Sequence, residues 1–411
     1  MSDLGETHGT QPAARAADST RRQDAARAAA ATRRQPAAGD AAATRALTAD
    51  RLRALVEHET PTGDRARIAA AFQTLREWVE PALGRPGELV TVDGVDHLLF
   101  APAAEPYVLL LGHVDTVWPL GTLADWPFTL DADGIARGPG IFDMKAGLVA
   151  AAGALATASD PSRVALLVSG DEEIGSLTSR ALIEQLAARA EAVLVLEPSE
   201  RGALKLARCG ASIYRVRFEG RAAHAGLEPE RGANALTELS RQVLASGEIA
   251  DAAAGTTVTP TVASAGTVTN TVPAQAELMV DVRARTLAEL ERVDRWFAAL
   301  AATDPQVTIA VEGGINRPPL EQESSRELFA LAQEAARDAG LAALDGVAVG
   351  GASDGNFTAA LGVPTLDGLG PLGGGAHARS EWVSLDAVVE RSRLIAGIID
   401  AIAARRRGEE R

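Results

Sequence analysis

At 411 residues, 46% hydrophobic, with 39 glycines and 20 prolines, the chain has the make-up of a globular enzyme and not of a disordered or fibrous polypeptide; the length suits two domains, or one large α/β domain carrying an insertion. A formal charge of −15 argues against nucleic acid and anionic membrane surfaces as partners, and no apolar run approaches the ~18 residues of a membrane span. The lone Cys209 excludes an internal disulfide and cysteine-based zinc sites, and it fits a reducing, cytoplasmic compartment.

Residues 1–45 are rich in alanine and arginine without apolar periodicity and read as a disordered tail. From Ala46 the pattern is helical up to a break at Thr60-Pro61-Thr62-Gly63, and a second helix over 64–79 ends before Pro81. A hairpin follows around Asp93-Gly94. Then comes Tyr107-Val-Leu-Leu-Leu-Gly-His-Val-Asp-Thr116, an apolar strand that ends by delivering His113 and Asp115 two residues apart. A loop with Trp118 and Trp126 forms a rim. Asp143 stands just before a helix of alanine and leucine over 148–158. Two further apolar strands finish on acids, 164–169 before Asp171-Glu172-Glu173 and 193–196 before Glu197. Strands alternating with helices imply a largely parallel sheet.

After about 207 the order becomes βαββαβ, the ferredoxin-like arrangement. The expected organisation is therefore a catalytic domain in two parts, 46–206 and 315–411, with an α+β domain over 207–314 inserted between them. The second part carries a helix near 321–339, the turn Gly350-Gly-Ala-Ser-Asp-Gly355, a glycine-rich loop Gly373-Gly-Gly-Ala-His377, and a closing helix from Leu385.

Chemistry gathers at the carboxyl ends of strands in open α/β sheets, and His113, Asp143, Glu173, Glu197 and His377 all lie at strand ends or in glycine-rich loops. Such a set exceeds one four-coordinate zinc, whereas two zinc ions sharing a bridging carboxylate use it naturally. Glu172 adjoins a ligand candidate without being needed as one, which makes it the candidate general base. Asp115 suits the acceptor that orients a ligating imidazole. Taken singly, each piece has a plainer reading: a satisfied core histidine, a helix N-cap for Asp143, a solvated turn for Asp-Glu-Glu. His8, His58 and His97 keep the plain reading.

These stretches, together with Gly138-Pro-Gly-Ile-Phe-Asp-Met-Lys-Ala-Gly147, Leu196-Glu-Pro-Ser199, Ala223-His-Ala-Gly226, Asn270-Thr-Val-Pro273, Asp281-Val-Arg283 and 377–381, resemble the di-zinc exopeptidases and deacylases that include glutamate carboxypeptidase, succinyl-diaminopimelate desuccinylase and acetylornithine deacetylase. The likeness covers nearly all of the chain after the tail and is nearest to the glutamate carboxypeptidase branch. It implies two Zn2+, replaceable by Co2+ or Mn2+: one held by His113 and Glu197, the other by Glu173 and His377, with Asp143 bridging. It further implies Glu172 as the base, Asp115 orienting His113, and a non-proline cis bond between Asp143 and Met144. The inserted domain would serve as a dimerisation and lid domain, with His224 reaching a neighbouring subunit's site to stabilise an oxyanion. Asn270 and Arg283 would hold the substrate's terminal carboxylate, and Lys205 and Arg317 a second one.

The expected activity is amide hydrolysis of a dipeptide-like or N-acyl substrate with release of a C-terminal amino acid. The alternatives are an N-acyl-amino-acid deacylase, a biosynthetic tailoring amidase, and a zinc-binding scaffold without turnover. Around the specificity pocket the sequence departs from the branch at Arg208-Cys209-Gly210, Gly351-Ala-Ser-Asp354 and Ala376-His-Ala-Arg379.

Overall fold

The computed structural model describes residues 38–409. By its contacts the chain divides into two units, 1–47 and 48–411. Of the first unit only the start of the helix Ala38–Glu57 is described. The tail expected over 1–45 is thus helical from Ala38 onward, where the run of alanines has high helix propensity; residues 1–37, including His8, lie outside the described residues.

The second unit is built on a six-stranded sheet in the order Glu88–Val92, Val95–Phe100, Val164–Ser169, Tyr107–His113, Ala190–Val195, Thr365–Leu366. The first two strands form an antiparallel hairpin whose turn residues Asp93 and Gly94 both have positive φ, 48° and 83°, as a tight hairpin turn demands. Val95–Phe100 also runs antiparallel to Val164–Ser169, and the other three pairings are parallel.

Tyr107–His113 lies in the interior of the sheet and is buried at every residue, which is why its sequence is a continuous apolar run without alternation. Val108 and Leu110 pack into one core with the helices Arg65–Leu83, Ala146–Leu155 and Leu385–Glu409. Leu109 and Leu111 pack on the opposite face against the helix Arg180–Ala187 and Phe357. Ala146–Leu155 is buried at all positions but Gly153, and a Cβ at Gly147 would come within 2.1 Å of Leu196 O. That close approach sets the start of this helix against the strand end that carries Glu197.

Helix Arg65–Leu83 runs through Pro81 instead of stopping before it. Proline removes one N–H in the last turn, and the end is then closed by Gly84 in the left-handed conformation, its N–H donating to Glu80 O.

The inserted α+β unit is a four-stranded antiparallel sheet in the order Thr257–Ala265, Gln275–Ala284, Gly210–Glu219, Thr308–Arg317. Helices Ala235–Glu248 and Leu287–Ala298 cover one face, with Val216, Phe218, Leu239, Val280 and Leu290 between, and Tyr214 stacks on Phe297 at 3.9 Å. The βαββαβ order is the one expected, and alternation in Gly210–Glu219 marks the uncovered face.

Two small sheets were not foreseen. Leu204–Arg208 pairs in parallel with Gly346–Val349. Thr129–Leu130, Ile135–Arg137, Trp382–Ser384 and Gly373–Gly374 form a sheet of short strands where a rim loop and a glycine-rich loop were expected. Strands of two to five residues carry too little alternation to be seen in sequence. The second of these sheets anchors the loop of His377 beside the segment leading to Asp143.

Candidate metal and active site

His113 ends its strand with the ring 2% exposed. Its Nδ1 lies 3.0 Å from the main-chain O of Asp115 and 3.4 Å from Asp115 Oδ1, so the carbonyl is the nearer acceptor and the carboxylate the second. A proton on Nδ1 leaves the lone pair of the neutral ring on Nε2. That nitrogen faces Asp143 Oδ1 at 3.3 Å and Glu197 Oε1 at 3.7 Å.

His377, at φ 60° in the glycine-rich loop, brings its Nε2 to 3.4 Å from Asp143 Oδ2 and 3.2 Å from Glu173 Oε2. Asp143 therefore stands between two imidazoles, each of its oxygens facing one of them, with Glu197 on the first side and Glu173 on the second. The peptide bond from Asp143 to Met144 is cis, as expected.

Asp115 is fully buried and does more than face His113. Its Oδ1 accepts the backbone N–H of Glu172 at 3.2 Å, and its Oδ2 accepts that of Glu173 at 3.2 Å and the Thr62 hydroxyl at 2.8 Å. One carboxylate thus fixes both strand-end segments relative to each other. Glu381 acts similarly: it is fully buried and accepts the N–H groups of Gly140, Phe142 and Asp143 at 3.0, 2.7 and 2.9 Å, plus Trp118 Nε1 at 3.1 Å. It lies four residues after His377, so one loop supplies a histidine and grips the segment carrying Asp143.

Among the described residues, the guanidinium groups of Arg208 and Arg317 pair with acids of this hollow, and Lys205 stands in the cavity wall beside these acids. Burial alone drives the His113 ring toward neutrality, but the Asp115 and Asp143 carboxylates beside it overcome this and hold its pKa well above the usual value. His377 is raised to about 10, first by Asp143 and then by Glu173. Burial pushes Asp143 up, yet the two imidazoles hold it below the normal carboxylate range. Glu197 is raised to about 7 by burial and by the charge of Asp143. Glu172 is raised well above its usual value by burial and then by Asp354 and Glu197.

The residues fit divalent cations on a direct observation. His113 Nε2, Asp143 Oδ1 and Glu173 Oε1 are buried and have no hydrogen-bond partner, and two groups of candidate donor atoms, His113–Glu172–Glu197 and His113–Asp143–Glu173, each lie within 4.8 Å. Lone pairs turned on one another at this range need positive charge between them.

A cavity of ≈270 Å3 opens on this cluster, with Asp143, Glu172, Glu173, Glu197 and His377 in its wall beside Lys205 and Arg208. The Arg208 guanidinium is buried in a two-pronged pair with Asp367, at 2.7 and 2.8 Å, and touches Glu197 Oε2 at 3.3 Å. Arg317, expected to face a substrate carboxylate, is absent from the lining; it is 7% exposed and ion-paired to Glu172 at 3.0 Å and Asp354 at 2.9 Å. Sequence reading missed the roles of Arg208, Asp354, Asp367 and Glu381. Glu381, inside the 377–381 motif, and Arg208 and Asp354, in segments that depart from the branch, carried a sequence cue, and Asp367 carried none.

The remaining candidates lie in the inserted unit, apart from this cluster. His224 and Asn270 are exposed and share adjoining segments, Ala225 N–H donating to Asn270 O at 2.9 Å and Val272 N–H to Ala223 O at 2.9 Å. His224 Nδ1 accepts the N–H groups of Gly226 and Leu227, each at 3.1 Å, which leaves Nε2 as the proton-bearing, outward nitrogen of the neutral ring. Arg283 is half-buried and paired with Asp281 at 2.8 Å. His58 bonds Thr74, and buried His97 bonds Thr178 and the Gly170 N–H, as structural residues do.

Comparison with known proteins gives a family model, Peptidase family M20/M25/M40, matching residues 109–401. Carboxypeptidase G2 of Pseudomonas sp. (strain RS-16) is 32% identical over 369 residues, covering 86% of this chain and 88% of that protein. Succinyl-diaminopimelate desuccinylase of Caulobacter vibrioides (strain NA1000 / CB15N) is 28% identical, covering 82% and 91%. Among solved structures, the Bacillus subtilis YXEP protein, described as a dinuclear metal binding peptidase from the M20 family, superposes with a TM-score of 0.62 at 15% identity, over 88% of this chain and 98% of that one, which shows a shared fold.

Proposed function

The chain belongs to the peptidase family M20/M25/M40, and from that premise we propose a zinc-dependent hydrolase that cleaves a peptide or N-acyl amide bond and releases a C-terminal amino acid. A metal-dependent peptidase or amidohydrolase is the family's chemistry, and the geometry of the site supports the zinc and the residue roles given below. The observation that carries it is Asp143 held between the Nε2 atoms of His113 and His377, with an acid beyond each.

Two Zn2+ would be held by His113 and Glu197 on one side and Glu173 and His377 on the other, with Asp143 shared. Bound there, they would supply Lewis acidity toward water and the amide carbonyl. Glu172 takes the proton of the attacking water and passes it to the leaving nitrogen; its raised pKa suits a group that must both accept and return a proton. Asp115 keeps the donor tautomer of His113 and the register of Glu172.

In the inserted unit, the outward Nε2–H of His224 is a pre-oriented donor for an oxyanion. It would act in the site of a neighbouring subunit, in a homodimer formed through this unit. Asn270 and Arg283 would take the substrate's terminal carboxylate, and Lys205, in the cavity wall, a side-chain carboxylate.

The test is metal analysis together with hydrolysis of a panel of dipeptides and N-acyl amino acids by the wild-type protein and Glu172→Gln. Wild type is expected to hold two zinc ions and release free amino acids; Glu172→Gln is expected to keep both ions while kcat falls ~10²–10⁴-fold, the contribution of a positioned base. Near-normal turnover by Glu172→Gln removes it as the base, and no amino acid release from any panel member sinks the hydrolase reading.

A further inference from the structure

Resting on the reading of Glu172 as the base, we propose that Arg317 is a positioning residue for Glu172 and not a receptor for a substrate carboxylate. Arg317 is the last residue of the strand Thr308–Arg317, at the point where the chain leaves the antiparallel sheet of the inserted unit. From there its side chain turns inward. Nη1 lies 3.0 Å from Glu172 Oε1, while Nη2 lies 2.9 Å from Asp354 Oδ1 and donates to Ser176 Oγ at 2.7 Å. Ser176 in turn donates to Asp354, closing a ring of three buried side chains from which the Arg317 guanidinium reaches Glu172. The guanidinium also lies over the Phe357 ring, 5.2 Å from its centre.

The geometry leaves no open fork for a ligand. A carboxylate is recognised best by two parallel N–H groups of one guanidinium. Both terminal nitrogens of Arg317 are already engaged and its Nε, though without a partner, is buried, so an incoming carboxylate that takes two N–H groups has to displace Glu172 or Asp354 and leave that acid without its cation. Nor does Arg317 reach the substrate space: the cavity wall includes Lys205 and Arg208, the latter itself saturated by Asp367, and not Arg317. Lys205 is then the cation left to meet a second substrate carboxylate.

What Arg317 does instead is fix the base at its free end. The backbone of Glu172 is tied to Asp115 through its N–H, and its Oε1 is tied to Arg317. Oε2 is thereby the oxygen that receives the proton. Displacing a reacting group by about 1 Å costs ~100-fold in rate, so a base held at both ends is worth a buried arginine.

The experiment compares Arg317→Gln and Arg317→Lys with wild type, zinc-loaded and full length, on matched N-acyl-glutamate and N-acyl-alanine substrates, with metal content measured and the Arg317→Gln crystal structure determined. The expected result is kcat down ~100-fold on both substrates, KM within about threefold, and an unchanged preference between them. Metal content stays at the wild-type level, the Glu172 carboxylate turns away from its wild-type position, and Arg317→Lys regains about tenfold. A KM rise confined to the glutamate substrate with kcat retained, or a Glu172 carboxylate that does not move, overturns the proposal. If Arg317→Gln does not fold, Asp354→Asn is read by the same split: lower kcat at unchanged KM supports the proposal, and a glutamate-selective KM rise overturns it. Should wild type hydrolyse nothing on the panel, the proposed function fails by itself, and the position of Glu172 in the variant crystal structure still decides the role of Arg317.

Discussion

The strand-end cluster and the inserted unit contribute their functional residues in opposite states. In the first, His113 and Asp115 are buried, and His113, Asp143, His377 and their flanking acids face one another within 3.2–3.7 Å. In the second, His224 and Asn270 are exposed, and Arg283 is paired with its neighbour Asp281. The fold of a single chain brings the candidate ligands together by itself, and buried like charges at this range call for positive charge among them. The residues read as handling substrate stand on a surface, at no such expense, as groups that engage something arriving from outside. Preorganisation is thus invested where charge must be stabilised and withheld where a ligand has to enter.

The comparison breaks first at Asp143. Asp143→Asn removes the carboxylate shared by both sides and leaves two imidazoles facing an amide. Since losing even an outer-shell partner of a metal ligand lowers affinity ~10–100-fold, zinc affinity at both positions is expected to fall by more than ~100-fold, with turnover lost. Calorimetric zinc titration and metal analysis check this, and a variant that still holds two ions tightly would show that the two sides are not joined through Asp143.

His224→Ala probes the exposed region. Zinc content is expected to stay at the wild-type level while kcat falls ~10²–10³-fold, as for loss of an oxyanion donor. Mixing His224→Ala subunits with Glu172→Gln subunits is expected to restore part of the activity, because one of the two sites in a mixed dimer then has both residues intact. Mixed subunits that form but stay inactive would mean that His224 serves its own subunit.

The smallest effect concerns protons in place of cations. His377 is raised to about 10 by Asp143 and Glu173, above the ordinary 6.5 of an unfolded chain, and His113 shifts the same way through Asp115 and Asp143 against its burial. A group whose pKa is raised on folding stabilises fully below its unfolded value and loses that contribution as pH climbs to the folded one. Metal-free protein is therefore expected to lose Tm between pH 6.5 and about 10, by roughly 2–4 °C because His377 is half exposed and screened. Zinc-loaded protein is expected to be flat over that window, and parallel curves for the two forms would refute the exchange of protons for cations.

Much of the molecule was legible in the residues alone. A continuous apolar run ending in Gly112-His113 can be little other than a doubly covered strand, and the βαββαβ order follows from alternation and helical periodicity. The five candidate ligands and Glu172 stood out because strand ends and glycine-rich loops are local features. Short strands such as Leu204–Arg208 were hidden for the same reason turned round: their stability comes from partners far along the chain.

The amino-acid order by itself determined which side chains sit at strand ends, since side-chain direction and strand termination are set within a few residues. Only the tertiary structure decided whom each charged group meets. Arg208 finds Asp367 across 159 positions, Arg317 finds Glu172, and Glu381 reaches back to the amides before Asp143. Ion pairs and hydrogen bonds act over a few ångströms in space, whatever the separation along the chain, so a cation that looked like a substrate receptor in sequence becomes, once folded, the partner of a buried acid.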